Sequence, residues 1–371
     1  MIDERVLYAG TLVLLLVASG IAIGLQPTSS GPDSPDAAAS EYSTTDEGVR
    51  YTVDPDKLRQ GCPGGLDCIP SIDNPRFQPA NQATWLKPSD RVIGVEIKGQ
   101  ARAYPLRILN VHEVVNDRLA GQAIAVTYCP LCRSGLVFSR RVNGQTLTFG
   151  VSGKLLDANL VLYDRQTETY WSQIRGEAIV GPLVPTTLTL RPSTITTWAD
   201  WRRGHPDTQV LSRDTGIYPK ATYGSNPYAG YANNSQVGYG VGEVDDRLSP
   251  KTLVFGLTVG GSSVAYPEST VRSEDVIIDE VGSEPVVVVE DPGDGGVSAF
   301  SRRIENETLT FRAGEEALID QHGHRWSYDG VARSGPRAGE QLDRLATHGV
   351  FWFAWSQFHP DTAVYNQSVS E

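Results

Sequence analysis

Residues 253–267, "LVFGLTVGGSSVAYP", repeat residues 91–105, "RVIGVEIKGQARAYP", 162 positions later. Gly94, Gly99, Ala103, Tyr104 and Pro105 fall on Gly256, Gly261, Ala265, Tyr266 and Pro267. The same offset lays "HEVVND" (112–117) on "EDVIID" (274–279), and "VFSRRVNGQTLTF" (137–149) on "AFSRRIENETLTF" (299–311). After a deletion in the second copy, "TYWSQ" (169–173) meets "HRWSY" (324–328) and "WADWRRGHPDT" meets "WFAWSQFHPDT". Agreement at so many separated places indicates duplication, and it dictates two tandem units of one fold.

Each copy reads as short runs of β-branched and aromatic residues between Gly, Asn and polar turns, with "VNGQ" as a hairpin signal. "PLRILNVHEVV" and "TTWADWRRG" are the helical stretches; one opens on Pro105, the other on a Thr cap and closes on Gly204. The expected fold class is mainly β, with α+β as the variant: two tandem homologous β-rich units with short helices after an N-terminal transmembrane segment. Residues 51–222 form unit 1 and 251–371 a degenerate unit 2. The Tyr/Gly-rich stretch 223–250 connects them and is long enough to serve as a functional surface loop.

"RVLYAGTLVLLLVASGIAIGL" carries no charge after Arg5 and is long enough to cross a hydrocarbon core of ~30 Å. Residues 1–27 are therefore a transmembrane anchor, with a cleaved signal peptide as the rival. Residues 28–50, rich in Pro, Ser, Thr and Asp, read as a disordered stalk. Three Asn-x-Ser/Thr triplets (Asn233, Asn306, Asn366) are compatible with an outside location. The expectation is a cell-membrane protein with its bulk on the extracytoplasmic side. With 44 Asp+Glu against 32 Lys+Arg, net −12, there is no basic stripe for nucleic acid. An acidic chain whose basic residues are nearly all arginine points to a halophilic archaeon.

The duplication is also an internal control. Residues shared by both copies serve the common fold, among them Tyr104, Trp171, Trp198, Trp201, His205, Pro206 and Asp207. Residues present once are candidates for chemistry. His112 maps to Glu274, Cys129 to Asp291 and Cys132 to Asp294, while Pro130 is kept as Pro292. Their joint loss groups His112, Cys129 and Cys132 as one metal or redox site. "SGKL" (152–155) is likewise replaced by "GEEA", which makes Lys154 a secondary candidate. Asp157 is another, as an acid/base group, although strand-end acids are usually just solvated.

Cys129-Pro130-Leu131-Cys132 admits three chemistries. A dithiol/disulfide pair would let one thiol ionise and the pair close reversibly. However, turn and strand follow the motif here, where thioredoxin-like proteins have a helix. A zinc knuckle would need two further ligands. Two thiolates with His112 would suit copper. Cys62 and Cys68 are a candidate disulfide on an exported chain, with a share in one four-cysteine site as the alternative. No phosphate loop and no Gly-x-Ser-x-Gly elbow is present. The contrasting class is a non-catalytic cell-surface protein with structural disulfides, whose connector binds a protein partner.

"RVIGVEIKGQARAYPLRIL", "HEVVND", "VTYCPLC", "SGKLLDANLVLYDRQTETYWSQ" and "HPDTQVLSRDTG" closely resemble the domain-of-unknown-function 3179 family from about residue 60 to the C-terminus. The resemblance implies a bacterial or archaeal protein with an N-terminal signal or anchor, and brings no biochemical activity with it.

Overall fold

A computed structural model of the protein describes residues 42–238 and 241–366. The apolar segment expected as an anchor lies outside them. Among the described residues no helix is long and apolar enough to cross a membrane.

The chain is mainly β, and the repeat recurs element by element. Copy one runs β1 (Arg91–Ile97), β2 (Gln100–Pro105), α1 (Leu106–Leu109), β3 (Val114–Leu119), β4 (Gln122–Cys129), β5 (Ser134–Ser139), β6 (Phe149–Leu156), β7 (Asn159–Asp164) and α2 (Trp198–Gly204). Copy two runs β8 (Leu253–Val259), β9 (Ser262–Pro267), α3 (Glu268–Glu274), β10 (Val276–Val281), β11 (Glu284–Glu290), β12 (Val297–Ser301) and, near its end, α4 (Trp352–Phe358). Each copy builds one sheet on its first hairpin and a second on the following meander. In each, a late strand returns parallel to the first hairpin, Gln209 beside Arg102 and Val264 beside Ala363.

Shared residues hold shared structure. Tyr104 donates to Asp117 at 2.6 Å and Tyr266 to Asp279 at 2.9 Å. The Trp171 indole donates to Asp164 at 3.0 Å and Trp326 to Asp320 at 2.9 Å. His205 and His359 close α2 and α4, each stacked on the preceding tryptophan at 3.7 and 3.9 Å. A buried tryptophan can sit flat on a strand only where the strand has no side chain there. Gly94 under Trp201 and Gly256 under Trp355 meet that need.

The two copies belong to one compact body. Each passes its β4–β5 type turn to the other's helix. The Phe351 N–H, at the start of α4, donates to Cys132 O at 2.9 Å. In the reciprocal place Thr196 donates to Asp294 O at 2.5 Å, and Arg203 on α2 reaches Pro292 and Gly293 O at 3.0 and 2.9 Å. The connector thus divides the copies in sequence without dividing the body. Residues 42–50, expected within the stalk, form a hairpin that pairs Ser43 with Tyr51 and Thr44 with Arg50. It extends onto the β6–β7 sheet through Tyr51 and Val180. That partner lies about 130 residues away in sequence, so local composition carried no sign of it.

Candidate active site

Cys129 ends β4 and Cys132 precedes β5, so the Pro130-Leu131 turn sets both sulfurs on one side. Both are free thiols, 2 % and 0 % exposed. Each points at the same acceptor, Ala158 O, at 3.6 and 3.3 Å. Ala158 is the tip of the β6–β7 hairpin, where Asp157 and Ala158 adopt successive left-handed conformations, φ 48° and 62°. This tip roofs the thiols. In copy two the corresponding hairpin, Phe311 to Asp320 against Phe149 to Asp164, is six residues shorter, which removes the roof.

Beneath the thiols lies a fully buried polar network. Ser134 donates to Gln173 Oε1 at 2.8 Å, and Asn159 Nδ2 reaches the same oxygen at 2.9 Å. Gln173 Nε2 donates to Thr127 Oγ1 at 3.1 Å. The counterparts of Thr127, Ser134 and Gln173 are Val289, Gly296 and Tyr328. A buried polar network is stabilising only when every member is satisfied, so it is readily lost where nothing needs it. Copy two has lost it together with the cysteines.

Burial pushes both thiols up. At Cys129 this is outweighed by the Cys132 S–H and by backbone groups of Cys132, Leu160 and Leu131, and its pKa falls below the ordinary thiol value. Cys132 is driven well above that value by burial, by the same bond and by the charge on Cys129. The two sulfurs are shifted in opposite directions, Cys129 toward the thiolate and Cys132 toward the thiol.

A third titratable group, Glu113, is near enough to act on the thiols through space. It is buried, and its carboxyl is held well above the usual carboxylate range by burial and by Cys129. Its backbone is left-handed, φ 58°, as is that of its counterpart Asp275, φ 53°. Because an acid occupies this position in both copies, a search for copy-specific residues passes over it.

His112, the adjacent residue, faces the other way. Its ring nitrogens lie 2.7 Å from Pro70 O and 2.7 Å from Tyr223 Oη. It ties the connector to the core of copy one, and both nitrogens are engaged there. Lys154 pairs with Gln60 across the strand ladder, and Asp157 is half-buried in the hairpin tip. Cys62 and Cys68 form a disulfide with Cα atoms 6.4 Å apart. The two cysteine pairs are thus separate, one oxidised and one reduced. Among the described residues no group of three His, Cys, Asp or Glu side chains is gathered as a metal would require.

Residues 66–362 match the family described as "Protein of unknown function (DUF3179)". The chain belongs to the DUF3179 family. Every residue of the thiol site in this DUF3179 protein lies inside the matched span. No curated protein and no solved structure matches the chain.

Proposed function

We propose that this DUF3179 protein is an extracytoplasmic thiol/disulfide protein whose working pair is Cys129 and Cys132. The observation that carries the reading is a pair of adjacent free thiols aimed at one carbonyl, Ala158 O, above a buried polar network that the second copy lacks. Cys129, as thiolate, attacks a sulfur of a partner disulfide, forming a mixed disulfide and expelling one partner thiolate. Cys132 then loses its proton and attacks Cys129 Sγ, releasing the second partner sulfur. Two electrons and the one Cys132 proton pass to the partner, which leaves as one thiol and one thiolate, and the 129–132 disulfide remains. Glu113, which interacts with Cys129 through space and whose carboxyl is pushed up, is the acid assigned to moving the proton. Attack requires the Ala158 tip of the β6–β7 hairpin, which covers the sulfurs, to move aside.

Placement outside the cytoplasm rests on the Cys62–Cys68 disulfide and on the apolar segment Arg5–Leu25, read as an anchor. Trapping tests the function. In Cys132→Ser, exposure to glutathione disulfide should leave a stable glutathione adduct on Cys129; in Cys129→Ser, Cys132 should stay free. Equal adducts on both variants, or none on either, would remove the assignment of roles.

A further inference from the structure

The other side of the same turn forms the floor of a cleft of about 380 Å³, whose far wall is the connector from Gly224 to Ala232. Three arginines line it: Arg91, Arg107 and Arg133. Arg107 is neutralised by Asp90 at 2.8 Å and donates to Gly224 O at 3.3 Å, which fixes the connector wall. Arg91 and Arg133 have no ion-pair partner among the described residues, in a chain with an excess of 12 negative charges. Glu268 and Asp200 act on Arg91 only through space, while Arg133 is close enough for its charge to weigh on Arg91. Asp90, the one acidic residue among the cleft's lining residues, is engaged by Arg107, so the half-buried guanidiniums of Arg91 and Arg133 repel each other there and an oxyanion relieves the repulsion.

The duplication supports this independently. The counterparts of Arg91, Arg107 and Arg133 are Leu253, Ser269 and Gly295. Position 133 is the most telling. Its backbone is left-handed in both copies, φ 55° at Arg133 and φ 68° at Gly295. Glycine adopts that conformation freely and arginine does not. Copy one therefore holds an arginine at a position where the turn itself favours glycine, and its guanidinium lies 5.8 Å from the Phe351 ring at the cleft wall.

We infer that this cleft binds a small anion, a carboxylate or phosphate group held between the Arg91 and Arg133 guanidiniums, with the connector as its outer wall. The inference does not depend on the redox reading, since no step of thiol exchange enters it. Titration calorimetry of the full chain tests it, with inorganic phosphate and succinate as probes and ionic strength held constant with chloride. Saturable binding of at least one probe is expected, weakened roughly 10- to 100-fold by Arg91→Leu and by Arg133→Gly. Both variants install the residue that copy two already carries, and glycine suits the backbone at 133, so folding is preserved; an unchanged unfolding midpoint in Arg133→Gly checks this. No saturable binding of either probe, or binding unaltered in both variants, overturns the site.

Discussion

Gly256→Ala places a methyl group where the Trp355 ring already is. A Cβ at that position would lie 2.1, 2.3 and 2.4 Å from three ring carbons, where ordinary contact begins near 3.4 Å. The ring must withdraw by roughly 1.3 Å, but it is 1 % exposed, bonded through its indole N–H to Thr362 at 2.9 Å, and stacked on His359. Overpacking of this kind costs about 2–3 kcal/mol. In a chain of this size that corresponds to roughly 1.5 °C per kcal/mol, so the unfolding midpoint should fall by about 3–5 °C. Gly94→Ala should cost as much, since its Cβ would lie 2.3 Å from Trp201. The two variants should part company at the thiols. Trp355 lies on α4, whose Phe351 N–H holds Cys132 O, whereas Trp201 lies on α2, which holds the Asp291–Asp294 turn. Gly256→Ala should speed alkylation of Cys129 and Cys132 by iodoacetamide, and Gly94→Ala should not. Gly224→Ala, with nothing within 4 Å of its Cβ, is the neutral control. Equal thiol reactivity in the two tryptophan-side variants would refute the reciprocal interlock, and midpoints matching the control would refute the packing.

Asp294, the counterpart of Cys132, is pushed up to about 6, chiefly by burial. Its folded pKa exceeds the unfolded value near 3.9, so the folded state holds an extra proton between those values. Stability therefore falls as pH rises through that window. Asp294→Asn should gain on the order of 1–3 kcal/mol at pH 7.5 and nothing at pH 3.5 in urea unfolding; a gain independent of pH would contradict this. His112→Ala frees Pro70 O and one Tyr223 contact and should cost about 2–3 kcal/mol, leaving the pH dependence of Cys129 alkylation unmoved. A displaced profile would bring His112 back to the sulfurs.

The duplication was legible because a repeated strand-turn pattern survives in glycines, aromatics and turn residues even where the copies have diverged. It located the thiol pair for the same reason, since Cys129 and Cys132 became Asp while their proline stayed. It pointed to His112 and not to Glu113 because substitution between copies measures difference, not proximity. His112 and Glu113 are adjacent in the turn between α1 and β3, yet His112 bonds to Pro70 O and Tyr223 while Glu113, at φ 58°, interacts through space with Cys129, a difference that spacing in the sequence does not carry. The roof at Ala158 was visible only as a deletion, which has a length but no location until the hairpin is built. Arg133 carried a readable signal, an arginine opposite a glycine, that becomes meaningful once the positive φ is known.

The redox equilibrium of the 129–132 pair separates a working dithiol from two buried structural thiols. The full chain would be equilibrated across glutathione and dithiothreitol buffers, quenched in acid, and its thiols counted by mass after alkylation in denaturant. The account predicts that Cys129 and Cys132 pass together, in a single two-electron step, from two thiols to one disulfide, while Cys62 and Cys68 stay joined. Thiols at 129 and 132 that stay reduced in the most oxidising buffer, or that pair with Cys62 or Cys68 instead, would contradict it.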